Sequence, residues 1–497
     1  MATTSVHGRT TGSQPRTTGS QPRATGSQPR TTGSQPRMTG SQPRMTATGP
    51  LRTTGPMPRA RRPAMARVVL GLIALGAVAV LGLWWKDTPA IHSTGDLITS
   101  AGDILGLLAG YGFVVLVGLM ARIPPLERGI GTDRLARWHA MGGKYVITLV
   151  TGHVLAIVWG YSVSAHESVT KQAIQLLSYT DVLYATIAWF LLLLIGAISA
   201  RAVRHKVSYE TWYYVHLLTY ASIALAFSHQ FAQGPDFVSN APARFAWSAI
   251  YGIVGALILW FRFVTPLRMF AKHRFTVMGV REEAPGVVSV YITGRDLDQM
   301  QAEPGQFFRW RFLTRQHVWQ SHPYSLSAMP RPDMMRITVK ARGHHSGSMA
   351  FLQPGTKVIA EGPYGAFTPS LSGRRVLLIA GGVGITPIRA MFAALPRRMN
   401  DGITLIYRAS RPRDVVFRQE LDAIAADRNA VVYYAIGSRA QLGYDPLDPI
   451  RLRAMVPGLQ RYEAYVCGPN GMTETAVESL RASGLKRRHI HHEAFDF

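Results

Sequence analysis

The sequence predicts a multi-domain membrane protein: a six-helix transmembrane bundle, then a small antiparallel β-barrel, then an α/β nucleotide-binding type of domain with a parallel sheet. Three observations carry this. Apolar segments of membrane-spanning length run through residues 66–264, short alternating strands separated by Gly and Pro follow Pro266, and strands alternate with helices from Arg374 onward. A bilayer core takes about twenty apolar residues as helix. With 497 residues the chain has room for such a bundle and two further domains of ordinary size.

The first stretch, residues 1–64, reads as a disordered basic tail. Residues 10–44 are five copies of one heptad, TTGSQPR with small variations. Small polar residues, Pro and Gly leave nothing to bury, and no apolar seam exists to make the period a coiled coil. Met45, Met57 and Met65 are further candidate starts. The net charge of +26 beside a hydrophobic content of 47% comes largely from here, since Asp87 is the first acid in the chain. Charge placed in a tail and next to apolar segments indicates membrane topology and acidic lipid, and argues against nucleic acid as a partner. The single cysteine, Cys467, rules out a disulfide framework and a cysteine-ligated iron–sulfur cluster within the chain.

The membrane domain is expected over 65–266, with segments at about 66–85, 97–121, 138–161, 181–200, 211–231 and 243–264. Basic residues mark alternate connections. Arg59, Arg61, Arg62 and Arg67 lie at the first segment, and Arg122, Arg128, Arg134 and Arg137 lie between the second and third. Arg201, Arg204, His205 and Lys206 lie between the fourth and fifth, and Arg262, Arg268, Lys272 and Arg274 close the sixth. The positive-inside rule then places a multi-pass protein in the cell membrane with both termini cytoplasmic.

Two of these segments carry paired histidines: His139 and His153 on the third, His216 and His229 on the fifth. Spacings of fourteen and thirteen residues advance about 21 and 20 Å along a helix, so the pairs match in depth. Imidazole inside a membrane is costly and is a standard axial ligand for haem iron, so two haems, one above the other, would fit. Thirteen residues on an ideal helix leave His229 about 140° around from His216, a mismatch that spacing does not explain.

Residues 271–370 alternate as short strands, the pattern of a small antiparallel barrel. Within them, Gly347-Ser348 is read as opening a short helix before Leu352, where backbone N–H groups and a hydroxyl would meet a pyrophosphate. Residues 374–497 read as the parallel α/β domain. Its first strand runs into Gly381-Gly382-Val383-Gly384-Ile385-Thr386-Pro387, expected to open a helix with Thr386 at the cap and to cradle phosphates. His489, His491 and His492 lie on an alternating stretch with no acidic partner pattern and are read as surface residues.

The four histidines, followed in order by His322-Pro323-Tyr324-Ser325, Glu361-Gly362-Pro363-Tyr364-Gly365, the Gly-rich turn and Cys467-Gly468-Pro469-Asn470-Gly471, resemble the ferric reductase and NADPH oxidase superfamily. The resemblance implies that His139 with His216 hold an inner b-type haem and His153 with His229 an outer one. It implies FAD in the barrel, with Tyr324 packing on the isoalloxazine and Ser325 near its reactive nitrogen, and His322 opening the motif as in the membrane members. It puts Cys467, Gly468 and Pro469 against the nicotinamide, with Phe497 stacking on the flavin until nicotinamide displaces it. Ser410 and Arg411 would take the 2′-phosphate, favouring NADPH, with NADH possible. Electrons would pass from cytosolic NAD(P)H through FAD and both haems to an external acceptor. Ferric chelate is the leading acceptor and oxygen the alternative, followed by a partner protein or quinone. Dedicated oxidases of the family carry a second His four residues after the outer ligand, and here that position is Ile157.

Overall fold

The computed structural model describes residues 62–495 apart from 89, 201–205, 208, 239, 370–373 and 397–401. The repeat tail, Arg201, Arg204, His205 and Phe497 therefore lie outside the described residues.

Six long helices occupy the apolar segments: α1 (Arg62–Asp87), α2 (Thr94–Leu119), α3 (Thr132–Ser164), α4 (Thr180–Ser199), α5 (Tyr209–Gln233) and α6 (Ala241–Leu259). Among the described residues, five stretches are long and apolar enough to cross a membrane, the last running from Ala241 to His273. The expected sixth, α5, is long enough but is not among them. Its two histidines, Thr219, Ser222 and Ser228 dilute its apolar character. α6 continues through a π-helical turn (Trp260–Val264) into α7 (Thr265–His273).

Helices α2 and α3 pack closely because glycines remove the side chains that would hold them apart. A Cβ on Gly102 would lie 2.9 Å from Ile157 Cδ1, one on Gly106 2.7 Å from His153 Nδ1, and one on Gly160 2.3 Å from Thr99 Oγ1. The start of α2 is secured by a capping box between Ser93 and Asp96.

Beyond α7 lie two three-stranded antiparallel sheets, ordered β1-β2-β5 and β4-β3-β6. Their strands are β1 (Thr276–Ala284), β2 (Val287–Thr293), β3 (Phe307–Phe312), β4 (His322–Ser325), β5 (Met334–Lys340) and β6 (Val358–Tyr364). The period of two is plain in β3: Phe308, Trp310 and Phe312 are fully buried, while Arg309 and Arg311 turn out to hold the Ser321 and Val318 carbonyls. With Phe275, Leu326 and Ile337 these side chains form one core, each contributing about 1.5–3 kcal/mol by leaving water.

The last domain is a five-stranded parallel sheet ordered β11-β10-β7-β8-β9. Its strands are β7 (Arg375–Gly381), β8 (Ile403–Ala409), β9 (Val431–Ile436), β10 (Tyr462–Pro469) and β11 (Ile490–Phe495). Helices cover it, and β7 is apolar almost throughout, as a strand buried on both faces must be. The bundle meets the antiparallel sheets where Arg122 lies over the Tyr364 ring at 5.0 Å and Tyr214 donates to the Trp319 carbonyl at 3.2 Å.

Candidate cofactor sites

The four membrane histidines face each other in two pairs. Ring centroids are 5.9 Å apart for His139 and His216 and 6.2 Å apart for His153 and His229. His139 Nδ1 donates to the Leu116 carbonyl at 3.0 Å and His153 Nδ1 to the Gly102 carbonyl at 2.8 Å, both on α2. His229 Nδ1 donates to its own helix at Ala226, 2.5 Å away. A carbonyl only accepts, so in these three rings Nδ1 carries the proton and Nε2 keeps its lone pair. His216 Nδ1 is buried without a hydrogen-bond partner among the described residues.

Despite the thirteen-residue spacing on α5, both of its rings reach partners on α3. Thr219 Oγ1 donates back to the His216 carbonyl and Ser222 Oγ to the Leu218 carbonyl, and the His229 ring is held to the Ala226 carbonyl one turn back along the helix. Sequence reading missed the part played by α2. Its small residues, Gly102 and Gly106 above all, were the available signal, because close helix approach is what brings its carbonyls to the imidazoles.

In the antiparallel sheets, β4 presents His322, Tyr324 and Ser325, with Pro323 exposed and Ser325 buried. His322 stacks with Tyr324 and lies 3.8 Å, centroid to centroid, from His345. Burial raises the Tyr324 phenol well above its usual range, so it stays protonated. The short helix expected to open before Leu352 is a 3-10 turn (Met349–Phe351) with Ser348 at its N-cap. Gly347 and Ser348 also close a preceding helix, α8 (His344–Ser348), whose start at Gly343 is capped by Ser346. The Ser348 hydroxyl meets His317 Nε2 at 2.8 Å.

The Gly-rich turn and the Cys467 segment, far apart in sequence, come together at the carboxyl ends of adjacent strands β7 and β10. Strand order reverses here, with β8 and β9 on one side of β7 and β10 and β11 on the other, the place where open α/β sheets bind ligands. The approach is backbone to backbone. A Cβ on Gly384 would lie 2.3 Å from the Cys467 carbonyl oxygen, and one on Gly468 3.2 Å from Gly381 Cα. Gly382 has φ +53, left-handed and open. Helix α9 (Ile385–Ala394) follows a 3-10 turn. Thr386 is not its cap: it lies inside the first turn and donates to the Val383 carbonyl at 3.0 Å, a bond the turn makes available. Cys467 is fully buried in the sheet's core and Pro469 is exposed at the strand end. Ser410 and Arg411 are exposed just past β8, on the same edge. His491 departs from the surface reading: Glu463 accepts from its Nε2 at 2.7 Å and its ring stacks on Tyr465, because β10 and β11 pair in parallel register.

Comparison with known proteins divides the chain in the same way. Residues 105–227 match the ferric reductase-like transmembrane component, 290–368 an FAD-binding domain and 378–478 an oxidoreductase NAD-binding domain. A Mycobacterium tuberculosis NADPH oxidoreductase is 28% identical over 273 residues, covering 52% of this chain and 70% of the relative. A Xylella fastidiosa flavohemoprotein is 28% identical over 253 residues, covering 48% of this chain and 60% of the relative. Among solved structures, the FAD/NAD-binding domain of nitric oxide dioxygenase from Vibrio cholerae is 24% identical with a TM-score of 0.39, covering 44% of this chain and 97% of that one.

Proposed function

From a chain with the ferric reductase and NADPH oxidase architecture, an NAD(P)H-dependent oxidoreductase, we infer a transmembrane electron-transfer enzyme that takes NADPH on the cytoplasmic side and reduces an acceptor on the other. The observation that carries this is the two facing histidine pairs. A metal–imidazole bond is about 2.0 Å, so two imidazoles that held one metal between them would stand about 6 Å apart, centroid to centroid. Both pairs match that spacing, with Nε2 free on three of the four rings. The donor set therefore fits two b-type haems, held by His139 with His216 and by His153 with His229.

Leu116 and Gly102, whose carbonyls orient the α3 rings, lie fourteen residues apart on α2, about 21 Å along the helix. The His139 pair is the one nearer the flavin module, since Leu116 lies a few residues before Arg122, which rests on Tyr364. Bound haems would supply one-electron relays, and FAD the exchange between a hydride and single electrons. The chain's part is to orient those groups. α3 and α5 hold the rings, Tyr324 and Ser325 line the flavin strand, and the backbones of Gly381, Gly384 and Gly468 admit the nucleotide. Ser410 and Arg411 select the 2′-phosphate. The six-helix bundle, a closed flavin barrel, a plasma-membrane location with cytoplasmic termini and contact with acidic lipid belong to the same reading.

Ferric chelate is favoured over oxygen by Ile157. Its Cδ1 packs against Gly102, the residue whose carbonyl holds His153. An apolar group there offers no hydrogen bond to a developing superoxide, so the preorganised stabilisation that speeds oxygen reduction is missing. The test is a competition in air with vesicle-inserted enzyme and excess external ferric chelate. Ferric reduction should account for most NADPH consumed; if superoxide accounts for nearly all of it, the oxidase reading replaces this one. His216→Ala should remove the inner haem while flavin reduction by NADPH survives.

A further inference from the structure

Glu420, near the start of α10 (Arg418–Arg428), is gripped by guanidiniums from two other elements. Arg336 of β5 donates through Nη1 to Oε1 at 2.8 Å and through Nη2 to Oε2 at 3.0 Å. Arg389 of α9 donates through Nη2 to Oε2 at 2.7 Å. The Arg336 side chain is only 6% exposed and that of Arg389 16%. Arg336 also donates to the Ser327 carbonyl and hydroxyl, and its guanidinium lies 4.5 Å over the Phe417 ring. Phe417 itself has a left-handed φ of +64, a conformation a bulky residue keeps only when its surroundings hold it there.

Each arm of this network ends at a different part of the proposed reaction site. Ser327 lies two residues past the flavin strand β4. Arg389 sits on the helix that the Gly-rich turn opens, and Glu420 and Phe417 follow the loop that begins at Ser410 and Arg411. Domain interfaces within one chain ordinarily permit relative motion. A bidentate carboxylate–guanidinium fork adds directional restraint that one-point ion pairs lack. Burial works against the Glu420 carboxylate, but the Arg336 hydrogen bonds and the Arg389 charge outweigh it and hold the group below its usual pKa. It is therefore ionised throughout the neutral range.

We propose that Glu420 is a positioning residue for hydride transfer: by joining Arg336 of the flavin-binding sheets to Arg389 of the nucleotide-binding domain, it sets the separation between isoalloxazine and nicotinamide. This rests on the hydride-transfer reading of the module. The role is geometric, and a misplacement of about 1 Å at the reacting atoms can cost about a hundredfold in rate.

The experiment uses the full chain loaded with FAD and haem, comparing wild type with Glu420→Ala, Glu420→Gln and Arg336→Lys. Arg336→Lys keeps the charge but loses the fork. Anaerobic stopped-flow measures flavin reduction by NADPH and by NADPH deuterated at the transferred position, alongside FAD content, NADP+ affinity and melting temperature. The expected result is a fall of about tenfold to a hundredfold in flavin reduction per bound FAD, with a full isotope effect and NADP+ affinity little changed. Reoxidation of dithionite-reduced flavin by the acceptor, which needs no nicotinamide, should keep its wild-type rate. Wild-type flavin reduction per bound FAD in all three variants overturns the inference, including when stability or FAD content drops, because the tie is then structural only. Failure of NAD(P)H to reduce flavin in the wild-type protein overturns the hydride reading and this inference together.

Discussion

Gly384→Ala tests the joining of the two nucleotide motifs directly. The added Cβ would stand 2.3 Å from the Cys467 carbonyl oxygen, 2.6 Å from its carbon and 2.8 Å from Gly468 Cα. All three are backbone atoms, so no rotamer change relieves the clash. Reaching an ordinary 3.4 Å contact requires the start of α9 and the end of β10 to part by about 1 Å. Overpacking of this kind costs about 1–3 kcal/mol. The larger effect falls on rate, because the separated elements are the ones proposed to hold pyrophosphate and nicotinamide, and a 1 Å error there can slow transfer about a hundredfold. Stopped-flow flavin reduction by NADPH, with FAD content and melting temperature, reads both effects. Gly279→Ala, where nothing lies within 4 Å of the new Cβ, is the control. If Gly384→Ala reduces flavin as fast as that control and melts with it, the two motifs do not meet as described and the proposed nucleotide site is wrong.

Arg411→Ala should lower kcat/KM for NADPH about tenfold or more, the worth of a charged phosphate hydrogen bond, and leave NADH use unchanged; equal losses with both nucleotides would remove the 2′-phosphate role. Deleting Phe497 should ease nicotinamide access to the flavin and raise NADH turnover, and unaltered selectivity in steady-state assays would count against stacking. The Glu420 network also predicts a pH dependence. Its carboxyl is held below the ordinary value in the folded state, so its contribution is complete above the usual carboxylate range and is lost as pH falls through the lowered folded value. Melting temperature measured down this acid limb should fall less steeply for Glu420→Gln than for wild type, and parallel curves would show that the charge adds no stability.

Much of the plan is local and was legible from residues alone. Apolar segments, two-residue alternation in FFRWRF, the continuous apolar run of β7 and the turn glycines each follow from a few neighbouring side chains and the bonds they can make. The matched depths of His139 with His216 and His153 with His229 also follow from helix rise, which accumulates predictably along a sequence. Local reading failed where local competition was close. Thr386 finds the Val383 carbonyl instead of acting as a cap, and Gly347 lies in the last turn of a helix that precedes the one Ser348 caps. The apolarity of α5 is diluted by its two histidines, Thr219, Ser222 and Ser228.

What only the tertiary structure decided are the meetings between distant segments. The carbonyls of Leu116 and Gly102 reach the imidazoles because glycines let α2 and α3 close together. The Gly-rich turn touches Cys467 and Gly468 because β7 and β10 pair in parallel, and Glu420 finds Arg336 and Arg389 only once two domains pack. The sequence by itself determined which chemical groups are available and on which elements they ride, since those follow from covalent order and short-range forces. Which groups meet across tens or hundreds of residues depends on how the packed elements exclude one another's volume, a property no segment has until the others are in place.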